Sequence, residues 1–267
     1  MRYKVIATDF DGTLLTSSKT ISDVNKEALK KCKDGGFILV GITARNLSSI
    51  RSVCDISMFD YLVINNGTYI YDVKNNTGEY IQYLERNLIE DITKKFIKSS
   101  EGIDYCTIDK YFSYKTKILV KRPFQLNIKD ISEIDGIVAR INIWADSNEK
   151  IYSFKQYVDE KYPDVDTITM LDTDAKSNKK WLAINPKGCS KATTLKAFAD
   201  KINVDMGEII FFGDATNDVD LIKQAGLGVA MGNAIPEVKS QAKDVTLTND
   251  QDGVGVYLNK IVDLLTI

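Results

Sequence analysis

The sequence predicts an α/β protein built on a parallel sheet, with a separate α+β segment inserted into it, and three observations carry that expectation. Apolar strand patterns in the stretch Tyr3–Leu15, at Phe37–Ile42 and at Ile209–Phe212 alternate with helical ones, and strand–helix–strand units of this spacing form parallel sheets with right-handed crossovers. Two of these strands run directly into aspartates, in DFDGT at Asp9–Thr13 and GDATND at Gly213–Asp218. From about Gln82 to Lys180 the pattern changes to amphipathic helices mixed with β-rich runs.

In the first strand Val5, Ile6 and Ala7 suit burial on both faces, and Gly12 lets the chain leave in a tight turn. With a side-chain period of two, Asp9 and Asp11 are expected on one side of the strand. Carboxylates so close repel one another unless a cation or proton lies between them, so the pair asks for a metal. A lone DxD reads equally well as turn residues, and the later motifs decide between the two.

A helix follows, with Ser22 as N-cap, an apolar face of Val24, Ala28, Leu29 and Cys32, and an end at Gly35 and Gly36. Thr43, Ala44 and Arg45 come after the second strand, at the same sheet edge as Asp9, where open α/β sheets bind ligands. A threonine hydroxyl and backbone N–H groups there can hold phosphate oxygens; alternatively Thr43 caps a helix through Leu47, Ile50 and Val53. Tyr61–Ile64 is a third strand, leading through Asn65, Asn66 and Gly67 into a hairpin with its turn at Asn75–Gly78.

Within the inserted segment, helices are expected at Leu88–Ser100 and Glu149–Tyr162, with β-rich runs at Lys117–Lys121, Ile137–Ala145 and Val165–Leu171. The resulting division is 1–81, 82–183 and 184–267, the first and last pieces forming one domain. Trp181–Asn185 is expected to return the chain to the first sheet. A helix beginning near Ser190 buries Leu195, Phe198, Ala199 and Ile202 and carries Lys191 in its first turn, where the ammonium and the helix N-terminus act together on an anion. Strands at Ile209–Phe212, Leu227–Met231 and Val245–Leu247, with helices near Val219, at Pro236 and over Gly253–Leu265, complete the core.

Composition narrows the chemistry. The 267 residues are 44% hydrophobic and 27% charged, with a formal net charge of -2, a globular balance without the basic footprint of a nucleic-acid or anionic-membrane binder. The chain starts almost directly on its first strand, without a secretory leader or an apolar run of membrane length, so a cytoplasmic protein is expected. Cys32, Cys54, Cys106 and Cys189 are scattered, with no zinc or disulfide spacing. There is no histidine, which excludes histidine-zinc hydrolases, serine triads and phosphohistidine enzymes and leaves acid–base work to carboxylates, lysine, tyrosine or cysteine.

DFDGT, TAR at Thr43–Arg45, Lys191 and GDATND occur in the order of the four motifs of the haloacid dehalogenase (HAD) superfamily, and the chain resembles its Cof-type branch of large-cap phosphatases. MGNAIPEV at Met231–Val238 and DGVGVYL at Asp252–Leu258 extend the likeness, and Asn66–Gly67 matches an asparagine–glycine that such proteins place near substrate. The chain departs from the family pattern at Ala192, where SKG is usual, and at Ala215, where glycine is frequent.

The resemblance implies a Rossmann-like core with the inserted segment as a cap. It assigns Asp9 as a nucleophile forming an aspartyl-phosphate and Asp11 as general acid and base, an assignment that spacing alone does not make. It further implies Mg²⁺ bound by Asp9, Asp214 and the Asp11 backbone carbonyl, phosphate contacts from Thr43, Ala44, Lys191 and Asn217, and support from Asp218. A phosphate monoester is a dianion, and Mg²⁺ and Lys191 together neutralise the charge that would repel a carboxylate nucleophile. The expected activity is hydrolysis of small phosphorylated metabolites, sugar phosphates above all, by a monomer or weak homodimer without nucleic-acid or membrane partners. Transfer to a sugar hydroxyl by a phosphosugar mutase, or binding without catalysis, are the alternatives. Asp146, Asp172, Asp174 and Asn178 are polar candidates for reading the leaving group.

Overall fold

The computed structural model describes residues 3–115, 124–170 and 180–265. Along the chain run β1 (Val5–Asp9), α1 (Asp23–Asp34), β2 (Ile38–Ile42), α2 (Leu47–Arg51), β3 (Tyr61–Ile64), β4 (Tyr69–Asp72) and β5 (Thr77–Tyr80). Then come α3 (Arg86–Phe96), β6 (Gly102–Cys106), β7 (Tyr111–Tyr114), β8 (Gln125–Ile128), β9 (Arg140–Ala145), α4 (Asn148–Lys161), β10 (Val165–Met170) and β11 (Lys180–Pro186). The last stretch holds α5 (Lys191–Lys201), β12 (Ile209–Gly213), α6 (Val219–Gln224), β13 (Leu227–Ala230), α7 (Pro236–Gln241), β14 (Asp244–Val245) and α8 (Gly253–Leu265). They fall into two compact units, Met1–Ala44 with Val53–Glu79 and Ser190–Ile267, and Arg45–Ser52 with Tyr80–Cys189.

The first unit holds a sheet in the order β14-β13-β12-β1-β2-β3-β4-β5. β1 pairs in parallel with β12 on one side and β2 on the other, Thr8 opposite Phe212 and Asp9 opposite Ile42. Its five residues are all buried, as a central parallel strand covered on both faces requires. From β1 the chain steps outward through β2 and β3, then returns to build β12, β13 and β14 on the opposite side. The order therefore reverses between β1 and β12, the switch point at which open α/β sheets form a crevice at the strands' C-terminal ends.

α1 is capped as expected, the Ser22 hydroxyl accepting from the Asn25 N–H at 3.2 Å. Its buried face is shifted, however: Asn25 is buried with Ala28, Leu29 and Cys32, while Val24 is 40% exposed. The Asn25 carboxamide accepts from the Gly255 N–H at 2.7 Å and donates to the Leu14 carbonyl, so hydrogen bonding to two other segments makes a polar residue the better occupant. α2 is capped by Asn46, whose Oδ1 accepts from the Ser49 N–H at 2.9 Å. Thr43 is thus not the cap of this helix, which ends at Arg51 before Val53.

The second unit contains the sheet β10-β11-β9-β6-β7-β8. One face packs Ile103, Tyr105, Phe112, Ile143 and Ile184 with Ile92 and Phe96 of α3 and Phe154 and Val158 of α4. Trp181–Asn185 does not return the chain to the first sheet: it lies in β11, antiparallel to both β10 and β9. An apolar run at a domain junction fits either sheet, and only strand pairing distinguishes them. Asp146 is exposed and pairs with Lys150 at 2.7 Å, whereas Lys117–Lys121, Asp172, Asp174 and Asn178 lie outside the described residues. Among the described residues no helix is long and apolar enough to cross a membrane.

Candidate active site

Strand register in the first unit gathers the motif residues at one sheet edge. Asp9 is the last residue of β1, Thr43 follows β2, Asp214 follows β12, and Lys191 opens α5. The start of α5 is fixed by a capping box between Ser190 and Thr193 and by Thr194, whose hydroxyl donates to the Gly67 carbonyl at 2.6 Å. Gly67 has φ +107, and a Cβ there would lie 2.4 Å from the Ser190 carbonyl oxygen. The Asn66–Gly67 turn therefore seats the helix that carries Lys191, and the Asn217 amide donates to Asn66 Oδ1 at 3.3 Å.

Lys191 is 2% exposed and bridges two buried carboxylates, with Nζ 2.6 Å from Asp9 Oδ1 and 2.8 Å from Asp218 Oδ1. Asp218 Oδ2 accepts from the backbone N–H groups of Asp214 and Ala215, both at 3.1 Å. Asp218 thus holds the strand-to-helix turn and the ammonium together, and both its oxygens are engaged. The Thr13 hydroxyl donates to Asp214 Oδ1 at 2.8 Å. No hydrogen bond from the described residues reaches Asp9 Oδ2 or Asp214 Oδ2.

One carboxylate oxygen from each of Asp9, Asp214 and Asp218 falls within 4.8 Å of the others. Burial pushes the Asp9 carboxyl up to about 8, with Lys191 pulling down and Asp218 and Asp214 pushing up. Burial also raises Asp214, partly offset by the Thr13 hydrogen bond. For Lys191 burial alone would lower the ammonium, but the charges of Asp9 and Asp218 outweigh it and hold it above its ordinary value. Three clustered carboxylates against one ammonium leave the site short of positive charge. Hard oxygen donors and a chain without histidine suit a hard divalent cation such as Mg²⁺, so the residues present fit the metal that the sequence implies.

Gly12 shows how tightly this corner is built. Its φ is +85, and an added Cβ would stand 2.3 Å from Asp214 Oδ2. Gly12→Ala is expected to displace the Asp214 carboxylate and, with roughly 1–3 kcal/mol of backbone strain, to lower both thermal stability and cation affinity. Calorimetric titration with Mg²⁺ alongside a melting curve checks both.

Asp11 does not share a strand face with Asp9, because β1 ends at Asp9 and the next residues turn. Phe10 is fully buried, and the Asp11 carboxylate, 37% exposed, lies 2.8 Å from the Lys19 ammonium. Thr43 is buried, its N–H donating to the Val63 carbonyl and its carbonyl accepting from the Asn66 N–H. Ala44 is half-buried and Asn217 exposed. The sequence gives Gly12 and Thr13 no role beyond a turn and does not disclose that Gly67 seats the helix carrying Lys191; the GT immediately after the acids is the available signal for the first pair.

Comparison with known proteins places the chain in a family. Residues 6–258 match the family model described as haloacid dehalogenase-like hydrolase. The chain is 28% identical to the Bacillus subtilis 5-amino-6-(5-phospho-D-ribitylamino)uracil phosphatase YitU, covering 97% of this chain and 98% of that one. It is 30% identical to a second Bacillus subtilis protein of the same name, YcsE, covering 94% and 92%. A crystal structure of a haloacid dehalogenase-like hydrolase from Bacteroides thetaiotaomicron superposes with a TM-score of 0.82 at 25% identity, covering 97% of this chain and 99% of that chain. The chain therefore belongs to the haloacid dehalogenase-like hydrolases, as a Cof-type member and a phosphoric monoester hydrolase.

Proposed function

We propose that the protein is a Mg²⁺-dependent phosphatase of small phosphorylated metabolites, sugar or polyol phosphates above all, that works through an aspartyl-phosphate on Asp9. The observation that carries this reading is the state of Asp9 at the tip of β1: buried, with Oδ1 on Lys191 and Oδ2 uncommitted among the described residues. The names of YitU and YcsE specify a phosphorylated ribityl group, a polyol phosphate, which supports the substrate class. The inserted segment, running to the end of β11 at Pro186, serves as the cap in this reading.

Mg²⁺ would be held by the Asp9 and Asp214 carboxylates and the Asp11 backbone carbonyl, and when bound it supplies the positive charge that lets a carboxylate approach a phosphate dianion. An Asp9 carboxylate oxygen forms a bond to phosphorus as the ester P–O bond breaks, and the departing oxygen takes the proton of the Asp11 carboxyl. Asp11 then accepts a proton from water as that water's oxygen bonds to phosphorus, and cleavage of the bond to Asp9 restores the carboxylate and frees phosphate. Lys191, oriented by Asp218, balances charge on the transferring oxygens, while Thr43, Ala44 and Asn217 bind them.

Phosphate release from p-nitrophenyl phosphate and from ribitol, ribose and hexose phosphates, with Mg²⁺ and after chelation, tests the reading. Metal-dependent release with a preference for the polyol or sugar esters is expected. No release from any ester by folded, Mg²⁺-supplied protein would overturn it, and an isomerised sugar phosphate would point to a mutase instead.

The raised Asp9 carboxyl gives a second expectation. A carboxyl lifted from 3.8 to about 8 on folding contributes stability that is fully present below the lower value and lost as pH rises through the upper one. Chelated protein is therefore expected to melt at a lower temperature near pH 8 than near pH 5, with Mg²⁺ or Asp9→Asn reducing the difference. Melting curves of both proteins across that range check it.

A further inference from the structure

We propose that Asn233 is a positioning residue for the cation site, holding the turn after β1 against Asp214 and so fixing the orientation of that carboxylate for Mg²⁺; the proposal rests on the metal site of the reading above. The MGNAIPEV run at Met231–Val238 has no part in the chemistry described so far, yet two of its residues grip the site. Asn233 Nδ2 donates to the Gly12 carbonyl at 2.7 Å, and the Ile235 N–H donates to the Asp214 carbonyl at 3.1 Å. One short loop between β13 and α7 therefore takes hold of both the turn and the aspartate that the turn must meet.

That turn is what aims the Asp214 carboxylate. The hydroxyl of Thr13, a fully buried residue, donates to Oδ1 at 2.8 Å, and the Gly12 backbone stands so close to Oδ2 that a Cβ would lie 2.3 Å from it. With one oxygen held by a hydroxyl and the other backed by main chain, the carboxylate cannot rotate unless the turn moves. The distance between turn and aspartate is set from outside both, by Asn233 and Ile235.

The Asn233 amide is itself fixed in direction. Its Oδ1 accepts from the Asn249 N–H at 2.9 Å, so its nitrogen is the end that faces the Gly12 carbonyl, an acceptor. Asn249, 7% exposed, adds a second hold on the same turn by donating its Nδ2 to the Leu15 carbonyl at 2.9 Å. Asn233 lies exposed, where one hydrogen bond returns little stability. Its effect is expected in cation affinity, because groups that orient a metal's ligands govern that affinity by roughly 10–100-fold.

Calorimetric titration of the chelated and desalted protein with Mg²⁺ reads this role without any turnover. Asn233→Ala is expected to raise the Mg²⁺ Kd about 10-fold while lowering the melting temperature in chelator by less than about 5 °C. Thr13→Val should weaken Mg²⁺ as well. Because both side chains act through the same turn, Asn233→Ala should add less than about 2-fold in the Thr13→Val background.

An unchanged Mg²⁺ Kd in folded Asn233→Ala would overturn the proposal, as would a full further loss of affinity in the Thr13→Val background. Failure of Asn233→Ala to fold would also overturn it, by making the asparagine a prop of the fold. Wild-type protein that binds no Mg²⁺ would remove the metal site and the proposal together. Wild-type protein that binds Mg²⁺ but releases no phosphate from any ester would overturn the phosphatase reading alone, and the difference in Kd would still support the proposal.

Discussion

Asp9→Asn is expected to lower phosphate release by roughly 10⁴-fold or more on every ester, p-nitrophenyl phosphate included, because the amide cannot form the phosphoenzyme. The uniformity separates it from a defect at Asp11, whose proton matters only when the leaving group is poor. The variant should fold. Asparagine matches the shape of aspartate, Lys191 keeps its 2.8 Å contact with Asp218, and removing a charge that burial already disfavours relieves the site. Steady-state phosphate release and a melting curve measure the two halves of this expectation. Substantial activity in a folded Asp9→Asn protein would exclude Asp9 as the nucleophile.

Lys191→Met is expected to cost roughly 3–5 kcal/mol of stability in the first unit when no divalent cation is present, because it leaves the buried Asp218 carboxylate without its counter-charge and Asp9 ionised only at a further cost. Activity should fall with it, since the same ammonium balances charge on the transferring phosphoryl group. Asp9→Asn in the same chain should restore much of the stability, through a coupling that two independent sites would not show. The readout has to come from the correct unit. Trp144 and Trp181 both lie in the second unit, so tryptophan fluorescence follows the wrong one, and the units need not unfold together. Amide exchange in β1 and β12 reports directly on the sheet that carries Asp9 and Asp214.

The parallel sheet and the approach of Asp9, Asp214, Asp218 and Lys191 are legible in the sequence for a physical reason. Parallel strands all present their C-terminal ends to one edge, so an acid ending β1 and an acid following β12 must meet if the strands are neighbours. What the sequence did not disclose depends on contacts between distant segments. Asn25 reads as a polar interruption of a helix face until Leu14 and Gly255 are beside it. Thr13 reads as a turn residue until Asp214, 201 positions away, accepts its hydroxyl proton. Trp181–Asn185 has the same apolar pattern in either sheet, and pairing with β9 and β10 decides which. The alternation rule placed Asp11 beside Asp9 only by extending β1 two residues beyond its end, where the chain instead turns Phe10 into the core.

Acid quenching of the wild-type enzyme during turnover of p-nitrophenyl phosphate with Mg²⁺, followed by digestion and mass spectrometry, tests the role of Asp9 most directly. A phosphoryl group is expected on Asp9, in the peptide that spans β1 and the turn after it, lost after treatment with hydroxylamine and absent from Asp9→Asn. Sustained phosphate release with no adduct on Asp9, or with the phosphoryl group on another side chain, would contradict the nucleophile assigned to this site.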